Sequence, residues 1–205
     1  MSNQDIAAML REMAAILEMQ GIAWKPRAYE KAAEGVEACD RPLTDVYQKG
    51  GTKALEQISG IGRGIAAHIA ELLHKGSIKE YAALKKKFPV NVTELMAVDG
   101  VGPAMIRVLW EKLRIRSLAD LERVARAGKI RALPRFGEKS EHKILKGIAF
   151  LRASGGRRTL GSVLPEARSM AAMIRSFPGV NDVAIAGSMR RRKETIGDMD
   201  ILISS

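Results

Sequence analysis

The sequence has few of the residues from which disulfide frameworks and metal centres are built. It contains a single cysteine, Cys39, and three histidines, His68, His74 and His142. One thiol cannot form an internal disulfide or a thiolate metal cluster. The histidines lack the spacing of a metal site, so we interpret them as structural or surface residues. A disulfide-stapled fold and a thiolate-bound zinc are therefore excluded.

Long apolar runs and a cleavable leader are also lacking. Their absence argues against a membrane protein and predicts a soluble, cytoplasmic one. Hydrophobic residues still make up 46% of the chain, which is enough for the cores of one or two domains.

Acidic residues are in the minority. The chain has 23 Asp and Glu against 34 Lys and Arg, for a net charge of +11. The segment from Arg107 to Arg158 alone holds 15 Lys and Arg against 5 Asp and Glu. A charge run is usually a solvated face, but this excess favours a surface that binds a polyanion, either nucleic acid or an anionic membrane.

Periodic apolar residues predict a helix over residues 3–20 and a second helix from Pro26. Residues 40–51 predict a looser segment with one helical turn at 44–48. A further helix is predicted over residues 163–176. Its inward residues are expected to be Val163, Ala167, Met170 and Ile174.

One pattern occurs three times, starting at residues 55, 95 and 130. Its copies are Leu55-x-x-Ile58-x-Gly60-Ile61-Gly62, Leu95-x-x-Val98-x-Gly100-Val101-Gly102 and Ile130-x-x-Leu133-x-Arg135-Phe136-Gly137. The spacing predicts a short helix, a tight turn and a longer second helix, with the third copy degraded at its first glycine. We call these the first, second and third hairpins (residues 55–69, 95–109 and 130–144).

Such hairpins suit phosphate binding. Backbone N–H groups at the start of the second helix have no intrahelical partners, and the helix dipole favours an anion there. Backbone contacts read no base, so binding would be independent of sequence. The pattern resembles the helix-hairpin-helix motif of DNA repair and replication proteins, with Gly60, Gly62, Gly100 and Gly102 at the DNA. The alternative is a set of simple helix–helix turns.

The last residues carry a pair of carboxylates. Residues 183–186 predict a buried strand, and Asp198-x-Asp200 opens a second strand over residues 199–203. Alternation would put both aspartates on one face, roughly 7 Å apart. Hard divalent ions such as Mg²⁺ bind carboxylate oxygens and bridge to phosphates. A solvated strand end explains most D-x-D pairs, but the preceding Gly187-Ser188 turn strengthens the metal-binding interpretation.

Gly187-Ser188 followed by Gly197-Asp198-Met199-Asp200 resembles the palm signature of nucleotidyltransferases, and in detail that of family X DNA polymerases. With the hairpins in that family's order, the resemblance covers essentially the whole chain. It implies a mainly α fold with a small α+β end. The implied domains are 1–88 (helix-hairpin-helix, 5′-phosphate binding), 89–153 (second helix-hairpin-helix) and 154–205 (start of the palm), with a basic linker from Arg152 to Thr159 at the boundary.

The resemblance implies gap-filling, template-directed nucleotidyl transfer in DNA repair. Asp198 and Asp200 would ligate two Mg²⁺ (or Mn²⁺) ions. The matching contacts to the incoming deoxynucleoside triphosphate are Gly187, Ser188, Arg191 and Gly197. The family's third carboxylate lies beyond Ser205, so we expect a fragment of a longer polymerase that is inactive alone. The implied protein is a monomer that binds gapped or nicked DNA at a bacterial or archaeal nucleoid.

Residues 24–33 resemble the family segment that binds the 5′-phosphate across a DNA gap. Lys25 matches a phosphate-binding lysine, Tyr29 matches a tyrosine of the same pocket, and Trp24 could stack on a base. The alternative is that Trp24 and Tyr29 are core residues and Lys25 is merely on the surface.

DNA polymerase beta also uses a lysine of this domain for lyase chemistry. His68 stands there in this chain, and an imidazole cannot form the required imine. Gly64 replaces a second phosphate-binding lysine. We therefore expect phosphate binding without lyase activity.

In the family, hairpin carbonyls also hold a monovalent cation, Na⁺ or K⁺, that bridges to a DNA phosphate. The matching carbonyls here are those of Glu56, Ile58, Ile61, Met96, Val98 and Val101.

Two other functions compete with the polymerase. One is a non-catalytic helix-hairpin-helix DNA-binding module whose D-x-D is incidental. The other is a small nucleotidyltransferase for a non-DNA acceptor, against which the repeats over residues 55–144 argue.

Overall fold

The structure is a computed structural model that describes residues 1–153 and 158–204. Half of the basic linker predicted from Arg152 to Thr159, residues 154–157, lies outside the described residues. The chain divides into two compact units, residues 1–145 and 146–205. The predicted fold class, mainly helical with a few strands near the carboxyl end, is confirmed. Among the helices described, none has both the length and the apolar character needed to cross a membrane.

Helices build the first unit. They are α1 (Asn3–Met19), α2 (Lys25–Glu37), α3 (Leu43–Leu55), α4 (Arg63–Lys75), α5 (Lys79–Lys87), α6 (Val92–Met96), α7 (Pro103–Leu113) and α8 (Leu118–Arg126), followed by α9 (Glu138–Ala153).

Helix α1 is the centre of this unit. It packs mainly against α2 and also contacts α5, α6 and α7. Ser2 caps it through a reciprocal pair of hydrogen bonds with Asp5. Its inward residues recur every three or four positions and are at most 1% exposed; they include Ile6, Leu10, Met13 and Leu17. The amphipathic pattern of residues 3–20 therefore predicted this helix correctly.

Residues 40–51 were predicted to form a loose segment with one helical turn, and this prediction was wrong for most of the segment. Helix α3 starts at Leu43, directly after Pro42, and runs to Leu55. Its backbone leaves helical geometry at Gly51, where φ is +62° and ψ is −153°. Burial of Leu43 and Val46 offsets the low helix propensity of the glycines, so Gly51 marks a kink rather than a loop.

The second unit is small and mixed. Its further elements are β1 (Arg158–Thr159), α10 (Leu160–Arg175), β2 (Asp182–Ile185), α11 (Gly187–Arg190), β3 (Thr195–Ile196) and β4 (Ile201–Ser204). Strand β1 pairs antiparallel with β3, and β2 pairs antiparallel with β4. The apolar core of this unit contains Val163 and Ala167 of α10, Met189 of α11 and Ile196 of β3.

Two details of this unit differ from the sequence predictions. Met170, expected to face inward, is 37% exposed. Strand β4 begins at Ile201 rather than at Met199, so Asp198 and Asp200 precede the strand instead of sharing one of its faces. The ladder register pairs Ile185 with Ile201 at this end. Beyond that pair, the N–H of Ala186 donates a hydrogen bond to the carbonyl of Asp200 at 2.8 Å.

Candidate functional sites

The three hairpins share one backbone turn. In each, the N–H of the fourth turn residue donates to the carbonyl of the first at 3.0 Å; the pairs are Ile61 to Ile58, Val101 to Val98 and Phe136 to Leu133. The third turn residue has positive φ in every copy: Gly60 at +82°, Gly100 at +81° and Arg135 at +68°. This is the geometry of a type II turn. The third copy therefore keeps the hairpin backbone although it has lost the glycine.

The helix after each turn begins in the same way. The carbonyls of Gly62, Gly102 and Gly137 accept from the N–H four residues later, at 2.9, 2.9 and 3.2 Å. Helices α4 and α7 have no side-chain hydrogen bond at these caps. A Cβ built on Gly62 or Gly102 would meet no atom within 4 Å. The cap glycines of both helices thus face open space on their Cβ side. An approaching phosphate would meet the N–H groups of the first helical turn, which in α7 begin at Ala104 because Pro103 has none.

The first hairpin is fixed against α2. A Cβ on Gly60 would lie 2.5 Å from the carbonyl oxygen of Lys31, and one on Gly35 would lie 1.9 Å from that of Ser59. Only glycines allow the two backbones to approach this closely. The hairpin is therefore held rigidly beside the segment that contains Trp24, Lys25 and Tyr29.

The third hairpin is held by a buried carboxylate. Glu141 stands where the other copies have Ala66 and Ile106, and it is only 1% exposed. Its carboxylate accepts from the N–H groups of Ile130 and Arg131, both at 3.1 Å, and from Arg131 Nε at 2.6 Å. Burial alone would raise the pKa of Glu141, but these hydrogen bonds together with the Arg131 charge outweigh it and lower the pKa.

The carbonyls predicted to bind a monovalent cation lie in and around the first two turns. The Ile58 and Val98 carbonyls each accept one hydrogen bond, which leaves each a second lone pair. Their binding of Na⁺ or K⁺ stays a prediction.

The predicted 5′-phosphate segment has one exposed and one buried aromatic residue. Trp24, the N-cap of α2, has φ +68° and is 82% exposed, so its interpretation as a core residue is wrong. Tyr29 is 4% exposed and belongs to the core. The Lys25 side chain is 60% exposed. An indole held on the surface is available for stacking.

A cavity of about 420 Å³ opens beside Trp24. Its lining residues come from the end of α1 and the start of α2 and include Glu18, Ile22, Pro26 and Arg27. The lining combines apolar surface with one acidic and one basic side chain.

Lys25 and Tyr29 meet two residues from other helices. Tyr29 Oη lies 2.8 Å from His68 Nδ1 on α4, and His68 Nε2 lies 3.2 Å from Glu80 Oε2 on α5. Lys25 Nζ lies 3.6 Å from Glu80 Oε1. Burial and, secondarily, the Glu80 charge raise the pKa of Tyr29 well above its usual range. Sequence reasoning missed Glu80, because only the packing of α5 brings it to this place.

The Gly187-Ser188 turn and Asp200 are in close contact. A Cβ built on Gly187 would lie 1.6 Å from Asp200 Oδ2, and Gly187 has φ +57°. Both the space and the backbone conformation therefore require glycine. Ser188 Oγ is buried and has no hydrogen-bond partner in the part of the chain that the structure describes. Because buried hydroxyls are nearly always paired, this one has spare capacity for a ligand.

The other residues predicted for this site lie around the turn. Arg191, Gly197 and Asp198 are exposed. Within residues 1–153 and 158–204, no group of three or more His, Cys, Asp or Glu is arranged to hold a metal ion. Asp198 and Asp200 thus remain the two carboxylates of the candidate site.

Two family models match the chain. A helix-hairpin-helix domain matches residues 1–78, and a SAM-like helix-hairpin-helix tandem matches residues 92–149. The first match contains the first hairpin and the second contains the other two. The helix-hairpin-helix prediction is thereby confirmed.

Curated relatives extend the similarity to both units. The DNA polymerase/3′-5′ exonuclease PolX of Bacillus subtilis is 29% identical over 206 residues, which cover 100% of this chain and 35% of that protein. DNA polymerase lambda of Rattus norvegicus is 27% identical over 203 residues, 98% of this chain and 32% of that protein. A DNA ligase of Limosilactobacillus fermentum is 42% identical, but over only 65 residues. The chain spans about a third of the length of the polymerases that it matches.

Proposed function

Since this chain resembles family X DNA polymerases over its whole length, we propose that it supplies the DNA-binding hairpins and two catalytic carboxylates of a gap-filling polymerase. The observation that carries the proposal is the contact of Asp200 with the Gly187-Ser188 turn. It supports a phosphate-binding turn beside a carboxylate, on a chain whose hairpins suit the DNA backbone. The partners are gapped or nicked DNA with a 5′-phosphate and deoxynucleoside triphosphates, bound by a monomer at the nucleoid.

The donor set fits the divalent ions that polymerases of this family use. Carboxylate oxygens are the preferred ligands of Mg²⁺ and Mn²⁺, and Asp198 and Asp200 would provide them. The unpaired Ser188 hydroxyl supports the same assignment, because it can donate to a triphosphate oxygen that accompanies such an ion. When bound, two such ions polarise the primer hydroxyl and stabilise the charge that develops on the leaving pyrophosphate.

The side chains hold the reacting groups in place. The primer 3′-oxygen forms a bond to the α-phosphorus, and the bond from the α-phosphorus to the bridging β-phosphate oxygen breaks, so that pyrophosphate leaves. The 3′-hydroxyl proton passes to solvent water. Ser188 and Gly187 bind triphosphate oxygens, Gly197 leaves room for them, and Arg191 neutralises part of their charge. Such positioning and charge stabilisation supply most of phosphoryl-transfer catalysis.

DNA is bound through its backbone. The first free N–H groups of α4 and α7, which in α7 begin at Ala104 because Pro103 has none, donate to phosphates on one side of the gap. The turn carbonyls would hold Na⁺ or K⁺, whose charge would attract a phosphate. The indole of Trp24 stacks on an exposed base. None of these contacts reads sequence, which suits an enzyme that fills gaps wherever they occur.

The 5′-phosphate site works without lyase chemistry. His68 takes the position of the lysine that would form an imine, and an imidazole cannot form one. Borohydride treatment of the protein with 5′-deoxyribose-phosphate DNA should trap no covalent adduct on a denaturing gel. A trapped adduct would contradict this assignment.

The test of the polymerase proposal is primer extension by the complete protein on a one-nucleotide gap with Mg²⁺. Asp198→Asn should lower the extension rate at least about 100-fold, as the loss of a transition-state charge contact does. Asp182→Asn is the matched control, because Asp182 is an exposed aspartate of the same unit, 3.8 Å from Arg175, and should leave the rate nearly unchanged. An extension rate unchanged by Asp198→Asn would exclude the proposed carboxylate site. DNA binding without any primer extension by the complete protein would favour the non-catalytic helix-hairpin-helix module.

A further inference from the structure

Four side chains from three helices form a connected polar cluster at the predicted 5′-phosphate site, joined by one hydrogen bond and two ion pairs. Lys25 and Tyr29 come from α2, His68 from α4 and Glu80 from α5. The two carboxylate oxygens of Glu80 are divided between the two basic groups: Oε1 lies 3.6 Å from Lys25 Nζ, and Oε2 lies 3.2 Å from His68 Nε2. Both basic groups of this cluster are thus already paired with an anion.

The partners of the imidazole fix its tautomer. An ionised carboxylate can only accept, so His68 Nε2 must carry the proton that points at Glu80. In the neutral ring Nδ1 is then an acceptor, and the Tyr29 hydroxyl, 2.8 Å away, must be the donor to it. Burial of Tyr29 raises the pKa of its phenol, so the hydroxyl keeps its proton. Tyr29 therefore orients His68 with an N–H directed at the anion position.

A phosphate meets the same two donors with the same chemistry. Its oxygens are acceptors that carry negative charge, as those of Glu80 are. We propose that Glu80 occupies the place of the 5′-phosphate, and that the phosphate displaces it to accept from Lys25 Nζ and His68 Nε2. His68 thereby becomes a phosphate-binding residue at the position of the missing lysine. This inference rests on the proposed 5′-phosphate site.

The exposure of the cluster makes the exchange feasible. The side chains of Lys25, His68 and Glu80 are 60%, 24% and 35% exposed. Ion pairs this open to water contribute little, so the carboxylate can leave at small cost. A carboxylate that remains beside the bound phosphate repels it. Glu80 therefore lowers the affinity for the 5′-phosphate and sets how strongly the protein prefers it over a 5′-hydroxyl.

The test is the ratio of dissociation constants of the 205-residue chain for gapped DNA with a 5′-hydroxyl and with a 5′-phosphate, from fluorescence anisotropy. Glu80→Gln should raise the preference for the phosphate about fivefold, the effect of one partly exposed charge. Glu37→Gln is the matched control, because Glu37 is a half-exposed glutamate of the same unit paired with Arg11. It changes the net charge equally and should tighten both complexes without changing the ratio.

The donors are tested in the same assay. Lys25→Ala should reduce the preference, and Tyr29→Phe should reduce it too, because His68 loses the partner that holds its N–H toward the phosphate. In Lys25→Ala/Glu80→Gln the gain from Glu80→Gln should shrink. Thermal melts by circular dichroism identify variants that fail to fold, and His68→Gln then replaces Tyr29→Phe as the test of the imidazole.

The outcomes separate the two proposals. A ratio unchanged in Lys25→Ala would exclude the 5′-phosphate site itself. A ratio that falls in Lys25→Ala but does not rise in Glu80→Gln would leave that site in place and overturn the exchange with Glu80. A ratio unaffected by Tyr29→Phe, or by His68→Gln where it replaces that variant, would exclude His68 as a phosphate donor.

Discussion

The second and third hairpins make the same turn from different residues. Each has its 3.0 Å turn hydrogen bond, but the residue with positive φ is Gly100 in one and Arg135 in the other. Glycine adopts this conformation freely, whereas an arginine is strained by about 1 kcal/mol. The comparison teaches that the hairpin backbone forms with or without the turn glycine. In the proposed function the backbone, not the side chain, would present N–H groups to a phosphate, so the third hairpin keeps the geometry that such a contact needs.

Different side chains contact the two turns. In the third hairpin the buried Glu141 carboxylate binds two backbone N–H groups and Arg131. In the second hairpin the contact comes from α9: Lys143 Nζ lies 3.1 Å from Asp99 Oδ2 and 3.1 Å from a Cβ built on Gly100. The third hairpin therefore keeps its own turn through a buried carboxylate and also contacts the turn of the second hairpin, through an exposed ion pair that contributes little.

The largest effect is expected where a turn glycine meets rigid backbone. Gly60→Ala would place its Cβ 2.5 Å from the Lys31 carbonyl and should destabilise the first unit by about 3 kcal/mol, from overpacking and strain together. Gly100→Ala meets only the flexible end of Lys143 and should cost about 1 kcal/mol. Urea unfolding followed by tryptophan fluorescence reports on this unit, because both tryptophans lie within residues 1–145. Equal losses would show that the two turns are equally constrained.

Removing the carboxylate that holds the third hairpin should have the next largest effect. Glu141→Gln keeps the shape but loses charge-assisted hydrogen bonds and should cost about 2 kcal/mol. Glu138→Gln is the control, since Glu138 is exposed and only 3.5 Å from Arg131, and it should cost almost nothing. A stable Glu141→Gln protein would mean that the turn needs no such support.

The same residue predicts a pH dependence. The pKa of Glu141 is lowered in the folded chain, so the unfolded chain binds more protons between the two pKa values and stability rises with pH there. The contribution of Glu141 is thus complete above the ordinary glutamate pKa of about 4.3 and is lost as the pH falls through the lowered value. The difference in unfolding free energy between the wild type and Glu141→Gln should therefore shrink as the pH is lowered from about 6 to about 3, where the carboxylate takes up its proton. A constant difference would contradict the lowered pKa.

The smallest effect is a gain. Arg135→Gly restores the residue that the other turns have and should stabilise the first unit by about 0.5–1 kcal/mol, because the strain at positive φ is relieved. Arg135→Ala, which removes the charge but keeps the strain, separates the two causes and should give no gain. A loss of stability in Arg135→Gly would mean that the arginine side chain itself holds the turn.

Local signals explain what the sequence could predict. Helices α1 and α2 follow from apolar periodicity, and the hairpins follow from glycine spacing. Only one turn of helix α3, residues 44–48, was predicted, because Gly50-Gly51 resembles a loop, while burial of Leu43 and Val46 favours the longer helix. The position of Glu80 beside Lys25 and His68 depends on how distant helices pack, and no local pattern marks it. The backbone partners of Glu141 lie in the same hairpin, but the repeat pattern does not show that its carboxylate turns back to them.

The candidate carboxylate site was predicted in part. The contact of Asp200 with Gly187 agrees with the motif, but the strand expected from Met199 begins only at Ile201. Antiparallel pairing with β2 determines where that strand begins, and pairing partners are not readable from one strand alone.

The most direct measurement is the identity of the nucleotide that the complete protein adds in a one-nucleotide gap opposite each of the four template bases. Template-directed gap filling predicts that only the complementary nucleotide is added, and only with a divalent ion. Addition without regard to the template, or no addition at all, would contradict the assignment of these hairpins and carboxylates to a gap-filling DNA polymerase.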